Sequence, residues 1–499
     1  MKLQRRLHGV KAFRFKVFVL VLFLVFYLLL VNIFVGPERS IVTNLLSKIN
    51  GHSRRPVREL VSLPRTHIRR ETESQPFAPG SFLKGEYPHN ESYCWFKYGT
   101  IESFDWDNVT ISVSPELKKK GPYRVIYNVI ENMKKNEDSE PDVTYCTHVT
   151  PSFQCNILEI VRRWDGPVSI AAYVPDYDAT LSLLLFQRMC QCIPEMSRVS
   201  VHFVFPEASP PVFPKASQMS FSSLESIDAL IKFPADCSCP EAVLNGTLRT
   251  FREESGLTYP VNVARNVARE AAQTSHVLVS DVELLPSLNL VPSFRLLLKK
   301  YMPAISTPAR HVFVLPVFEI EARVHNIPTT KEELQHLYSE GQAIYFHRWV
   351  CLHCQRFPGL ERWLQRKKGT PFPVSPNVIA NPSPLKPLLV VRREFPHHRW
   401  EPIYIGTRNE PLYSEYLSWE GRQDKMTQMH AMCLLGYRFV ILDGGFLVHT
   451  PGMKRPGRKH AESIAWRQPH EEVNARLYEK IVHATENRLG SRPAACRLH

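Results

Sequence analysis

The stretch YPVNVARNVAREAAQTSHVLVSDVE, from Tyr259 to Glu283, concentrates the side chains best suited to chemistry. At helical spacing Asn262, Arg265, Asn266 and Arg269 share one face, while Val263, Ala264, Val267 and Ala271 fall largely on another. The strand-like run HVLVS then ends in Asp281-Val282-Glu283. Two acids one residue apart, just past the carboxyl end of a buried strand, sit where open α/β sheets bind ligands. Their hard oxygen donors suit Mg²⁺ or Mn²⁺, whose charge can neutralise a diphosphate. The competing reading of the helix face is a solvated charged surface, and of the acids an ordinary strand terminus.

These residues need a scaffold, and the surrounding sequence supplies one. Apolar runs at Pro167–Val174, Val199–Phe205, His276–Ser280 and His311–Ile320 alternate with helical patterns, including one through LSLLLFQRM and one near Met426–Leu435. Buried strands separated by helices indicate an α/β domain with a mixed, mostly parallel central sheet. A proline-rich block at 371–396 reads as irregular loop. No internal repeat is evident.

With 499 residues, 44% hydrophobic and 22% charged, the chain is long enough for a sizeable core and is neither disordered nor fibrous. Lys2, Arg5, Arg6, Lys11, Arg14 and Lys16 contribute to a net charge of +14. Removing those six leaves about +8, a mild bias that suits anionic substrates such as nucleotide diphosphates. No zinc-finger, RNP-type or basic-zipper pattern supports nucleic-acid binding.

Val17–Val35, VFVLVLFLVFYLLLVNIFV, has the length and hydropathy of a membrane span, with Asn32 its one strongly polar residue. A cleaved signal peptide would have a shorter apolar core and a small-x-small site after it, which is missing. The basic cluster before the span keeps residues 1–16 cytoplasmic and sends the rest into the lumen. Residues 36–85, rich in Arg, Ser, Pro and Thr, read as a stem, and residues 86–499 as a lumenal catalytic domain.

Sequons at Asn90, Asn108 and Asn245 agree with that topology. Eleven cysteines suit an oxidising compartment, and their odd number leaves at least one thiol free or intermolecular. The close pairs Cys190/Cys192, Cys237/Cys239 and Cys351/Cys354 form local crosslinks or reach more distant partners. Cys351-Leu352-His353-Cys354 with His347 also invites a zinc reading, but a second ligand pair at zinc-finger spacing is missing.

The run YP-x-N-x-ARN-x-AR-E, the strand with Asp281-Val282-Glu283, LPVFEI, KEEL, Trp400-Glu401-Pro402 and GFLVH together resemble glycosyltransferase family 49, from about Cys94 to about Tyr478. The resemblance implies a GT-A fold and metal-dependent, inverting transfer of a sugar from a UDP-sugar. The sugar would be glucuronic acid from UDP-glucuronate, and the acceptor an O-mannose-type glycan on a glycoprotein. It also implies a single-pass type II protein of the Golgi membrane, alone or in homo- or hetero-oligomers with other Golgi transferases.

Asp281 and Glu283 match the family's acidic metal motif, with Glu283 where Asp is usual, and His449 of GFLVH matches a further metal ligand. The cofactor would be Mn²⁺, with Mg²⁺ the alternative. Asn262, Arg265 and Asp281 are the expected donor contacts. An inverting reaction needs a carboxylate base. Glu401, beside Trp400, is the first candidate and Asp424 its rival, although Asp424 also suits a helix N-cap. Asp176 and Asp178 cap a helix or touch nucleotide. A β-N-acetylglucosaminyltransferase and a silent partner of another Golgi enzyme remain the alternatives, the latter prompted by Glu283.

Overall fold

The computed structural model describes residues 77–133, 142–213, 234–301, 310–365, 384–417, 423–450, 452–455, 458–490 and 495–498. Contacts divide the chain into Met1–Glu71 and Thr72–His499. The first unit, which holds the residues expected to form a cytoplasmic tail and a membrane span at 17–35, lies outside the described residues, as does the expected stem up to residue 76. Among the described residues no helix is long and apolar enough to cross a membrane.

In chain order the strands are β1 (Trp95–Phe96), β2 (Ile111–Val113), β3 (Tyr123–Glu131), β4 (Val143–Val149), β5 (Val168–Tyr173), β6 (Val199–Pro206), β7 (His276–Val279), β8 (Leu284–Pro286), β9 (His311–Leu315), β10 (Val317–Ile320), β11 (Ala343–Tyr345), β12 (Lys386–Val391), β13 (Ile403–Gly406), β14 (Arg438–Asp443) and β15 (Leu447–His449). The main helices are α1 (Asn156–Arg163), α2 (Asp178–Cys192), α3 (Val261–Glu270), α4 (Leu290–Tyr301), α5 (Lys331–Ser339), α6 (Met426–Leu434) and α7 (Arg458–Leu489).

The fold is mixed α/β around a large central sheet ordered β1-β3-β6-β5-β4-β7-β13-β9-β14-β12, with β2 on β3, accompanied by a small sheet β11-β10-β15-β8. The expected parallel character holds for β6-β5-β4-β7 and for β9-β14. The remaining pairings of the large sheet are antiparallel, so the sheet is mixed without being mostly parallel. The parallel strands are buried on both faces, which is why they read as continuous apolar runs.

The run His311–Ile320 is two strands rather than one. Pro316 has no N–H for a ladder, and the chain there passes from β9 in the large sheet to β10 in the small one. A second crossing joins β14 to β15 through Gly444, at φ +94°, and Gly445, where a Cβ would meet Leu290 Cδ2 at 2.6 Å. Both crossings feed the small sheet. Residues 77–85, read as the end of the stem, pack on the domain: Leu83 joins the core and Arg162 stacks on the Phe82 ring.

Five disulfides join Cys94–Cys190, Cys155–Cys239, Cys192–Cys237, Cys351–Cys354 and Cys433–Cys496. Three of the bonds take the close pairs at 190/192 and 237/239 to distant partners, whereas Cys351 and Cys354 bond to each other and so are not zinc ligands. Cys146 on β4 is the free thiol, buried in the sheet and therefore unavailable for an intermolecular bond.

Candidate active site

The acids lie in the turn between β7 and β8, so one side of the turn belongs to each sheet. Asp281 faces the helix α3 side. Its Oδ1 accepts from Arg265 Nη2 at 3.0 Å and lies 3.3 Å from His148 Nε2, while Oδ2 accepts from Lys425 Nζ at 3.0 Å. Burial alone would raise its proton affinity. Lys425 and Arg265 outweigh that and hold the carboxyl well below the usual carboxylate range. For Arg265 and Lys425 the balance runs the same way: burial opposes their charge, yet the facing carboxylates push both upward.

Glu283 faces the small sheet. Antiparallel register pairs His449 with Leu284, parallel register pairs it with Glu319, and Thr450 N–H donates to Glu283 O at 3.1 Å. His449 Nε2 lies 3.7 Å from Glu283 Oε2. Both ring nitrogens of His449 are buried without a hydrogen-bond partner. An orphaned imidazole beside a carboxylate is a mixed nitrogen and oxygen donor set, which Mn²⁺ accepts more readily than Mg²⁺ does. Asp281 is engaged by its cations instead, and among the described residues no three or more His, Cys, Asp or Glu side chains are gathered for a metal.

The polar face of α3 is not solvated. Asn262, Arg265, Asn266 and Arg269 are all buried and grip a distant segment of chain. Asn262 Nδ2 donates to the carbonyls of Ser414 and Asp424, at 3.0 and 2.9 Å. Asn266 Nδ2 donates to Tyr413 O and Glu415 Oε1 and its Oδ1 accepts from Tyr413 N–H. Arg269 donates to the carbonyls of Arg408, Glu410 and Pro411. Of the expected donor contacts, Asn262 is thus spent on backbone, and Arg265 bridges Asp281 to Asp424, with Nη1 donating to Asp424 Oδ2 at 2.8 Å.

Asp424 does not cap α6. Lys425 holds the N-cap position, and Asp424 Oδ1 accepts from the Lys425 N–H. Glu401 differs from it. Its carboxyl accepts no hydrogen bond from the described residues, and burial, followed by the nearby Asp424 carboxylate, pushes it up to about 7. Its N–H is fixed by Cys354 O at 2.7 Å.

Glu319 receives the N–H of His347 at 3.2 Å and of Lys454 at 3.3 Å, and burial raises its proton affinity. Asp178 accepts the N–H of Phe251 and Arg252 and so caps a short helix of a different segment; Asp176, at φ +49°, accepts from Tyr177 N–H. Asn90, Asn108 and Asn245 are all exposed. Sequence reasoning missed Lys425 and His148. Lys425 follows the candidate Asp424 directly, which was the available signal. His148 lies in the apolar strand β4, where nothing local marks it.

Acids that stay charged beside a carboxyl that exchanges its proton near neutrality divide the labour of group transfer: some groups hold charge while one moves a proton. Comparison with known proteins identifies the group as glycosyl, and the chain is a glycosyltransferase. Residues 142–489 match the family described as "Glycosyl-transferase for dystroglycan", and the chain belongs to that family. It is 27% identical over 393 residues to beta-1,4-glucuronyltransferase 1 of Danio rerio, covering 75% of this chain and 82% of that protein. Against beta-1,4-glucuronyltransferase 1 of Homo sapiens it is 27% identical over 373 residues, 74% of this chain and 81% of that one. Against the xylosyl- and glucuronyltransferase LARGE1 of Homo sapiens it is 21% identical over 312 residues, 62% and 31%.

Proposed function

We propose that this chain transfers glucuronic acid from UDP-glucuronate to a glycan on a glycoprotein, with inversion at the anomeric carbon. Similarity to proteins named glucuronyltransferases supports the donor. The observation that carries the chemistry is the contrast between Glu401, whose proton affinity is raised to about 7, and Asp281, held ionised by Arg265 and Lys425.

In this reading Glu401 accepts the proton of the acceptor hydroxyl. The oxygen forms its bond to the sugar's anomeric carbon from one face as the bond to the β-phosphate oxygen breaks on the other, and UDP departs. Arg265 and Lys425, paired with Asp281 and Asp424 in a charge-balanced cluster, keep Asp281 ionised and in place beside the donor site. Glu283 and His449 would hold Mn²⁺, with Mg²⁺ the alternative and Asp281 alongside. The metal would supply positive charge to the diphosphate. Asp424 keeps Arg265 in place and raises Glu401.

The parallel strands with acids at the carboxyl end of β7 support a GT-A reading of the sheet. The N-terminal apolar stretch and the five disulfides support a type II protein of the Golgi membrane with residues 86–499 lumenal. The proximity of Glu283 to His449 weighs against a silent protein, because the longer acid still reaches the histidine.

The test is UDP release by the purified protein against a panel of UDP-sugars, with Mn²⁺ or with EDTA. Turnover confined to UDP-glucuronate and lost in EDTA is expected. Turnover of UDP-N-acetylglucosamine instead would replace the donor, and inactivity toward every donor would remove the catalytic reading.

A further inference from the structure

His148 and Asp281 stand at the same level of the sheet on neighbouring parallel strands. β4 and β7 pair Cys146 with Val279, and Ser280 N–H donates to Cys146 O at 2.9 Å, so two residues further along each chain His148 meets Asp281. Alternate residues of a strand share a face, and Cys146 packs with the apolar residues of α3, so His148 and Asp281 both turn toward that helix. Tyr259, at the entry to α3, completes the line. Its hydroxyl lies 2.7 Å from His148 Nδ1, while His148 Nε2 lies 3.3 Å from Asp281 Oδ1. The Tyr259 ring is buried and sits edge-on to Tyr173, with centroids 5.7 Å apart.

An ionised carboxylate only accepts, so His148 Nε2 carries a proton and donates it to Asp281. Burial lowers the proton affinity of His148 and keeps the ring neutral, so Nδ1 is an acceptor and the Tyr259 hydroxyl donates to it. Each bond requires the tautomer that the other fixes. Asp281 thus has three side-chain donors among the described residues: Arg265 and His148 on Oδ1, and Lys425 on Oδ2. A carboxylate offers about four lone-pair sites, so Oδ1 is filled and Oδ2 keeps one. Arg265 and Lys425 reach Asp281 on long stems from α3 and the start of α6, whereas His148 is carried by the strand paired with β7. A neutral ring orients the acid without adding a third positive charge.

We propose that His148, locked by Tyr259, is a positioning residue of the donor site: it fixes the Asp281 carboxylate so that the one remaining lone pair of Oδ2 is left for the metal and nucleotide diphosphate. This rests on the reading of Asp281 as part of the donor site.

The test is calorimetric titration of UDP, in Mn²⁺, into the purified full chain, with Asp281→Asn as the reference. His148→Leu removes both hydrogen bonds, and His148→Gln supplies one donor and one acceptor in their place. UDP affinity should fall at least about tenfold in His148→Leu, as when the partner of a metal-site acid is removed, and largely return in His148→Gln. Tyr259→Phe deletes a single hydroxyl and should weaken binding by roughly two- to tenfold. Cys146, two residues from His148 on β4, should stay unreactive toward a thiol reagent in each variant that is folded. Wild-type affinity in His148→Leu, or no recovery in His148→Gln, would overturn the positioning role while Asp281→Asn remained weak. Wild-type affinity in Asp281→Asn would instead refute the place of Asp281 in the donor site, and the inference with it. If His148→Leu does not fold, unchanged affinity in Tyr259→Phe would overturn the lock.

Discussion

Glu401 and Asp281 are both carboxyls, and their surroundings drive their proton affinities apart. Asp281 faces two cations and stays charged, whereas Glu401 is desolvated and looks toward another carboxylate. A base works only when deprotonated, so kcat/KM should rise with pH through a midpoint near 7 and then level. Glu401→Gln should lower kcat by roughly 10²–10⁴-fold with UDP binding intact. Asp424→Asn removes a negative neighbour that favours the protonated acid, so the midpoint should move to lower pH. A pH–rate profile of the three proteins checks both signs; an unmoved midpoint would take Asp424 out of the account. Glu401, Asp281, Glu283 and His449 could be picked out as candidates because each stands in a short motif. Lys425 and His148 reach Asp281 only through folding, from sequence positions more than 130 residues away.

At the scale of elements, α3 acts as a clamp. Its apolar face packs on β4 and β5, and its polar face replaces water with carbonyls of residues 408–414 and of Asp424. Helical periodicity revealed both faces but not what the polar one meets, since the pattern for water and for a buried loop is the same. Asn266→Ala should therefore destabilise the fold by about 1–3 kcal/mol, the cost of leaving a buried carbonyl and an amide N–H of Tyr413 without partners. A fall in thermal midpoint, with faster proteolysis within residues 408–417, is the expected signature; a change no larger than that of an exposed Asn→Ala control would contradict it. The parallel strands were readable as apolar runs. β13 was not, because three residues between Pro402 and Gly406 carry too little pattern, and yet it joins β7 to β9 in the middle of the sheet.

At the scale of the molecule, ten cysteines in disulfides and one buried thiol set a redox state that can be counted. The native protein should not react with a thiol reagent, and the unfolded, unreduced protein should give one thiol per chain, Cys146. Cys433–Cys496 closes a loop of 63 residues that includes α7, and Cys433→Ser with Cys496→Ser should cost about 4 kcal/mol of stability in the chain-entropy picture. The count of cysteines predicted an unpaired one; the pairing itself needed three-dimensional placement, since adjacent-looking pairs such as Cys190 and Cys192 go to different partners.

The claim on which the whole reading depends is that Glu283 and His449 hold a divalent cation for a nucleotide diphosphate. Calorimetric titration of UDP into the purified protein, with Mn²⁺ and then with EDTA, tests it without needing an acceptor. Saturable UDP binding that requires Mn²⁺ and is lost in His449→Ala and in Glu283→Ala is the predicted result. UDP binding indifferent to metal, or no binding by folded protein in either condition, would contradict it.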